Sequence, residues 1–340
     1  MSSSISSNDS TDIKTSQKKR VLSGVKPTGK AHLGNYLGAM KNHAAMQNEY
    51  DSFIFIADLH SLTTVKDAKS LHELITDLAL DYLALGINPD KTVFFRQSDV
   101  PEHAELTWIL NCVTPMSMLE LAHAYKDAAA KGTKEINVGV FDYPVLMAVD
   151  ILLYKPDIVP VGKDQKQHVE IARDIAGKFN RAFGEVFKLP QPYIPEEVAV
   201  VIGTDGQKMS KSYGNTIEIF ASEKDLKKQV MSVVTDSTPV EDTKDPDKDN
   251  VYKLYSYFAE EEQKMVLADK YRAGGFGYGD AKKLLLETIF DHFKPYREER
   301  EKLKQNLDYV KDVLKKGAEK AKVVASATKA EVWEKTGLSL

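Results

Sequence analysis

The chain of 340 residues has a single cysteine, Cys112. One thiol excludes an intramolecular disulfide and any Cys-rich zinc site, and it makes a reducing cytoplasm the expected compartment. No apolar run approaches the ~20 residues needed to cross a bilayer, so no membrane partner is expected. The first eighteen residues, MSSSISSNDSTDIKTSQK, lack the apolar core of a secretory signal. They also lack arginine while carrying Asp9 and Asp12, which does not suit a transit peptide. The stretch 1–18 reads as a disordered tail. A large excess of one charge is missing too: the formal net charge is −4, which describes no coat for nucleic acid but leaves open contact through one face. The last forty residues hold nine lysines against six acids, the pattern of a solvated helix face.

Two glycine motifs are also absent. There is no Gly-x-x-x-x-Gly-Lys-Ser/Thr and no Gly-x-Gly-x-x-Gly, which argues against P-loop hydrolases and dehydrogenases. No His spacing points to a metal held by the protein alone: His43, His72, His103, His123 and His292 are scattered, and His60 sits at a strand end where it could approach a site. Cys112 reads as a small buried hydrophobe, and Trp108 and Trp333 as packing residues.

What is present is an alternation of short apolar runs with helical patterns. Val21–Val25, Phe53–Ala57 and Thr92–Arg96 read as buried strands, as do Asp157–Val161 and, last in the sheet, Val198–Ile202. Helices are expected from Asn35 to about Asn48, over Leu71–Leu85 ahead of Gly86, through most of 102–155, and over Gln165–Phe183. Pro190, Pro192 and Pro195 mark a surface connection. The expected fold is α/β, a Rossmann-like parallel sheet over 19–216 with a helical insertion. An all-helical domain follows over 217–340, with helices at Glu223–Val234, Tyr252–Tyr257, Glu260–Lys270, Gly279–Phe293 and from Tyr296 to about Lys335. Thr238–Asn250 reads as a loop.

Residues 208–212 are Lys-Met-Ser-Lys-Ser, just after Asp205-Gly206. Two lysines three apart on a short loop, Lys208 and Lys211, can cover a triphosphate and offset charge as a phosphorus atom is attacked. Ser210 and Ser212 add donors. Residues 27–35, Pro-Thr-Gly-Lys-Ala-His-Leu-Gly-Asn, follow the first strand. The glycines let backbone N–H groups approach a ligand. His32 lies before a helix start, where anions are favoured, and Asn35 either binds phosphate or caps the helix. This loop lies at the carboxyl edge of the sheet, where ligands bind in such folds.

A third feature is Asp150, alone among apolar residues in the run 143–154. Tyr143, Met147, Asp150 and Ile151 share one helix face, and Pro144 suits a first turn. A carboxylate there is costly unless paired. It serves either an ion pair or cap, or as acceptor for a donor-only ligand group such as an indole N–H. In the run 159–168, Asp164 and Gln165 lie at a strand-to-helix junction and suit either a ribose or ammonium contact or a cap.

With these residues together, the chain resembles the bacterial-type tryptophanyl-tRNA synthetases of class I from about Arg20 to Leu338. The specific stretches are 23–29, 34–39, 57–63, 143–154, 159–168, 234–237 and 317–322. The resemblance implies that Asp150 receives the indole N–H and that Tyr143 and Gln165 hold the amino group. Met147, Val159 and Val161 would line the ring pocket, and Gly162 and Asp164 would border adenosine. Lys26, Thr28, Gly34, Asn35, Lys208, Met209, Ser210, Lys211 and Ser212 would serve ATP, with His32, Asn35, Lys208 and Lys211 as the catalytic set. It also implies ATP with Mg²⁺, L-tryptophan and tRNA(Trp) as partners, a homodimer, and anticodon contact by the helical end. Two positions depart from relatives: Asn35 replaces a second His of the wider class, and Lys26 stands where many bacterial relatives have Gln. Lys26 would add a charged contact to tryptophan or ATP. The alternatives are the sister tyrosyl enzyme, a small-molecule nucleotidyltransferase, and a non-catalytic RNA-binding paralogue.

Overall fold

The computed structural model describes residues 18–122, 125–126, 136–162, 165–193 and 200–339. Asp164, His123, Pro195, Val198, Ala199 and the stretch 1–17 therefore lie outside the described residues. Five strands, β1 (Arg20–Val25), β2 (Asp51–Ile56), β3 (Thr92–Arg96), β4 (Ile158–Pro160) and β5 (Gln191–Tyr193), form one parallel sheet. Their order is β3-β2-β1-β4-β5. The fold is the Rossmann-like α/β arrangement with a helical C-terminal part.

The strands read as near-continuous apolar runs because helices cover both faces. Side chains alternate between two cores. From β2, Ile54 and Ile56 enter one core, and Phe53 and Phe55 enter the other. The first core lies against α1, a helical stretch composed of Leu33–Asn35, a π-helical Tyr36–Met40 and Lys41–Met46. It also takes in α2 (Ala68–Ala84) and runs on into the C-terminal helices through Leu226, Leu254, Leu285, Ile289 and Phe293. The second core holds Leu22, Phe95, Leu106 and Leu110, with α3 (Glu102–Asn111), α4 (Val138–Leu152) and α5 (Lys166–Phe183). Gly24 belongs to this arrangement: a Cβ there would lie 2.4 Å from the Phe55 ring, so the ring lies across a bare backbone.

Several expectations need correction. The fifth strand is Gln191–Tyr193, not Val198–Ile202, because an edge strand tolerates Pro192 and Val161 N–H reaches Tyr193 O at 3.0 Å. Ile202 instead makes an isolated antiparallel bridge to Lys208. Helix α4 starts at Val138, capped by Asn137, so Pro144 sits in its interior rather than its first turn. Pro295 does not break its helix: α6 (Tyr278–Lys304) is continuous, and the interruption comes at Asn306, which caps α7 (Leu307–Thr336). Tertiary packing overrides the local cost of that proline, since Phe293 beside it is fully buried. Cys112 is exposed on the outer side of its helix, and Trp108 is 71% exposed, so neither packs in the core. Trp333 does pack against the second core.

Helix α7 returns to the sheet and covers edge strand β3. Ala318, Ala321 and Ala325 are buried there, and a Cβ on Gly317 would lie 1.8 Å from the Phe94 carbonyl oxygen. Gly317→Ala should therefore cost about 1–3 kcal/mol by overpacking. Urea unfolding of the variant checks this, and an unchanged midpoint would refute the close approach.

Candidate active site

The loop leaving β1 and the lysine loop are far apart in sequence but share one edge of the sheet. Lys211 Nζ donates to Gly29 O at 2.9 Å and Thr28 O at 3.1 Å. The strip after the lysine loop runs antiparallel to the first motif: Leu33 N–H reaches Ile217 O at 3.0 Å, and Ile219 N–H reaches Ala31 O at 3.1 Å. Gly34 fits between the motifs, since a Cβ there would lie 3.0 Å from the His32 ring and 3.6 Å from Met209.

The lysine loop has an internal support that the sequence reading missed. Asn215, 2% exposed, accepts from Ser210 N–H at 2.7 Å, and its amide donates to Asp205 Oδ1 at 2.7 Å and Lys208 O at 3.1 Å. Met209 is buried, and its N–H bonds Val201 O at 2.8 Å. This anchors the middle of the pentapeptide and leaves Lys208, Lys211 and Ser212 exposed, with Ser210 and Ser212 hydroxyls 2.8 Å apart.

His32 caps α1, and Asn35 Oδ1 accepts from its N–H at 3.3 Å, so Asn35 caps as well as borders the loop. The His32 ring is buried, and its Nδ1 has no hydrogen bond among the described residues. Burial, helped by the Lys211 charge, holds this imidazole down at about 4. It is neutral near pH 7 and offers an N–H rather than a charge.

A second group lies beyond Lys26. Lys26 Nζ reaches Thr63 Oγ1 at 3.3 Å, and burial lowers its pKa. His60 stacks on Tyr143 with ring centroids 4.7 Å apart, and Tyr143 O–H lies 3.5 Å from His168 Nε2. Burial, then the charges of Lys26 and His168 against that of Asp150, bring His60 to about 4. His60 thus joins the site, as its place at a strand end suggested. Asp150, 3% exposed, accepts on Oδ1 from Gln97 Nε2 at 2.7 Å and lies 2.6 Å from His103 Nδ1. No hydrogen bond to its Oδ2 exists among the described residues.

Met147 and Val161 are half-buried, Val159 is buried in β4, and Gly162 O accepts from Gln165 N–H at 2.9 Å. Sequence reasoning missed Gln97 and set His103 aside as one of the scattered histidines. A signal existed: both follow the carboxyl end of β3, where polar residues border ligands.

Comparison with known proteins shows the family. The family of class I tRNA synthetases (W and Y) matches residues 14–294. A tryptophan–tRNA ligase of Fusobacterium nucleatum is 56% identical over 90% of this chain and 94% of its own length. One from Rhodopirellula baltica is 51% identical over 91% and 96%. The crystal structure of tryptophanyl-tRNA synthetase from Campylobacter jejuni complexed with ADP and tryptophan superposes with a TM-score of 0.90 at 50% identity. That match covers 94% of this chain and 99% of the other.

The depressed imidazole gives a test. His32 takes up a proton only near pH 4, while the unfolded chain does so near 6.5, so its share of stability is present above 6.5 and is lost as pH falls through 4. Histidine NMR should show a resonance titrating near 4 that moves upward in Lys211→Met, because a repelling cation is gone. Titration of His32 near 6.5 in the wild type would contradict the burial.

Proposed function

The chain belongs to the class I tRNA synthetases of the W and Y group, and we propose that it is a tryptophan–tRNA ligase joining L-tryptophan to tRNA(Trp) at the expense of ATP. The observation that carries this reading is the seating of Lys211 on the Thr28–Gly29 backbone beside neutral His32, with the Asp150 group at the other end of the same sheet edge.

In the first step the tryptophan carboxylate attacks the α-phosphorus of ATP, and pyrophosphate leaves from the opposite side. Lys208 and Lys211 offset charge on the leaving group, and Ser210 and Ser212 donate to it. His32, Asn35, Thr28 and the Gly34 backbone hold the phosphates, Gly162 and Asp164 border the adenosine, and Met209 anchors the loop. Asp150 receives the indole N–H, with Tyr143 and Gln165 on the amino group and Met147, Val159 and Val161 along the ring. Lys26, close to His60 and short of solvent, pairs with the substrate carboxylate or a phosphate. A tRNA terminal ribose hydroxyl then attacks the adenylate carbonyl, releasing AMP. Among the described residues no cluster of His, Cys, Asp or Glu could hold a metal. Magnesium arriving with ATP would be carried by the ATP phosphates and would supply charge neutralisation beside the lysine loop.

The helical part, 217–340, reads as the anticodon-binding domain, and the cytoplasm as the site of action. Among the described residues no helix is long and apolar enough to cross a membrane. A homodimer is supported by exposed apolar residues on the helices around Tyr143: Leu62, Trp108, Met116, Leu121 and Val138. Such a patch marks an interaction surface.

ATP–pyrophosphate exchange tests the assignment. Exchange should depend on tryptophan and not on tyrosine, and tyrosine-only exchange or none would overturn it. In the same assay Lys211→Ala should lower kcat about 10²–10³-fold. Lys26→Gln should raise a Michaelis constant about tenfold, the loss of one charged contact, and unchanged constants would remove Lys26 from the site. Sedimentation should find a dimer that Trp108→Asp converts to monomer, whereas a monomeric wild type would reject the patch as an interface.

A further inference from the structure

Behind Asp150 lies a buried polar chain that no step above uses. His103 Nε2 is 2.8 Å from the Tyr154 hydroxyl, and His103 Nδ1 is 2.6 Å from Asp150 Oδ1. Tyr154, His103 and Gln97 are each 0% exposed. Phe55 and Phe95 enclose the imidazole, with centroids 5.8 and 6.4 Å away.

The direction of each hydrogen bond can be worked out. Burial, joined by the charges of Asp150 and Glu102, pushes the Tyr154 phenol far above its ordinary range, so it keeps its proton. Water cannot reach that hydroxyl, and its partner among the described residues is His103 Nε2. We take the phenol as donor to Nε2, the direction that pairs its buried proton, and a ring that accepts there is neutral. The imidazole proton then sits on Nδ1 and points at Asp150 Oδ1. Gln97 is fixed the same way. His60 N–H donates to its Oε1 at 3.2 Å, which turns its NH₂ towards Asp150 Oδ1 at 2.7 Å. Two neutral donors thus converge on one oxygen of the carboxylate.

We propose that Tyr154, His103 and Gln97 are positioning residues that make Asp150 a one-sided acceptor: they occupy Oδ1, lock the carboxylate plane and leave Oδ2 aimed at the substrate ring N–H. The ring is thereby selected by its donor, not only by its shape. This rests on the tryptophan reading given above. A buried network could also serve stability alone, so the test must separate the two roles.

Exchange kinetics with tryptophan and with 3-(benzothiophen-3-yl)alanine, in which sulfur replaces the N–H in a ring of nearly the same shape, make that separation. Tyr154→Phe removes one hydroxyl. Its KM for tryptophan should rise about fivefold, the worth of one hydrogen bond between neutral groups, with kcat within about twofold and the analogue's KM unmoved. His103→Leu should lose the discrimination further, while His103→Asn, whose amide N–H can take the place of Nδ1–H, should restore most of it. A merely structural role would weaken both substrates alike and leave their ratio unchanged. If the wild type prefers tryptophan and the folded variants keep the full wild-type ratio, the relay is refuted and the enzyme assignment stands. If the wild type shows no tryptophan-dependent exchange, the assignment fails first and takes the relay with it.

Discussion

The seating of Lys211 on the carbonyls of Thr28 and Gly29 is the contact on which the site depends. It closes a ring of chain from β1, across the whole sheet, to the lysine loop. A parallel sheet makes that closure possible, because every strand delivers its carboxyl end to the same edge. Glycine makes it tight. Gly29 has φ of 101°, a backbone region that side chains disfavour, and it turns its carbonyl towards the ammonium. Asn215 then holds the lysine loop in shape from beneath, so the exposed cations stand on a buried support.

Burial sets the protonation states around this edge. His32 and His60 both fall to about 4 because desolvation disfavours their cations and a lysine lies close to each. The site thus keeps its positive charge on lysines, where the proposed reading puts phosphate, and presents imidazoles as neutral donors. This division follows from the lysines' higher intrinsic pKa: the same burial that neutralises a histidine leaves a lysine charged.

The sequence made much of this legible. Strand Thr92–Arg96 is found as read, and β1 and β2 differ from the reading by a residue or two at their ends, because buried parallel strands announce themselves as unbroken apolar runs. Lys211, His32 and Gly34 were recognisable as short motifs. Proline misled three times. Pro192 lies in an edge strand, and Pro144 and Pro295 lie inside helices, since packing in the folded chain offsets a local penalty. Trp108 and Cys112 looked like core by residue type, but their helix turns them outward, and composition does not encode which way a helix face turns. The roles of Gln97, His103 and Asn215 escaped notice for another reason. Each is a lone polar residue whose partner is more than four positions away, and only the folded chain brings the two together.

Asp150 shows what such unseen partners do. A buried carboxylate is costly, and the usual compensation is a cation. Here, among the described residues, no lysine or arginine pairs with it, and its ion-pair partner is His103, a neutral donor on the reading proposed above. Its negative charge is met by dipoles from Gln97 and His103 on one oxygen only. A lysine at that place would have satisfied the charge and removed the reason to bind anything else. Neutral donors leave the carboxylate still short of one hydrogen bond, and a ligand that brings an N–H meets the need while one that lacks it leaves a buried acceptor unpaired. On that reading discrimination arises from the cost of the wrong ligand, and that cost is high because no lysine or arginine among the described residues offsets the Asp150 charge.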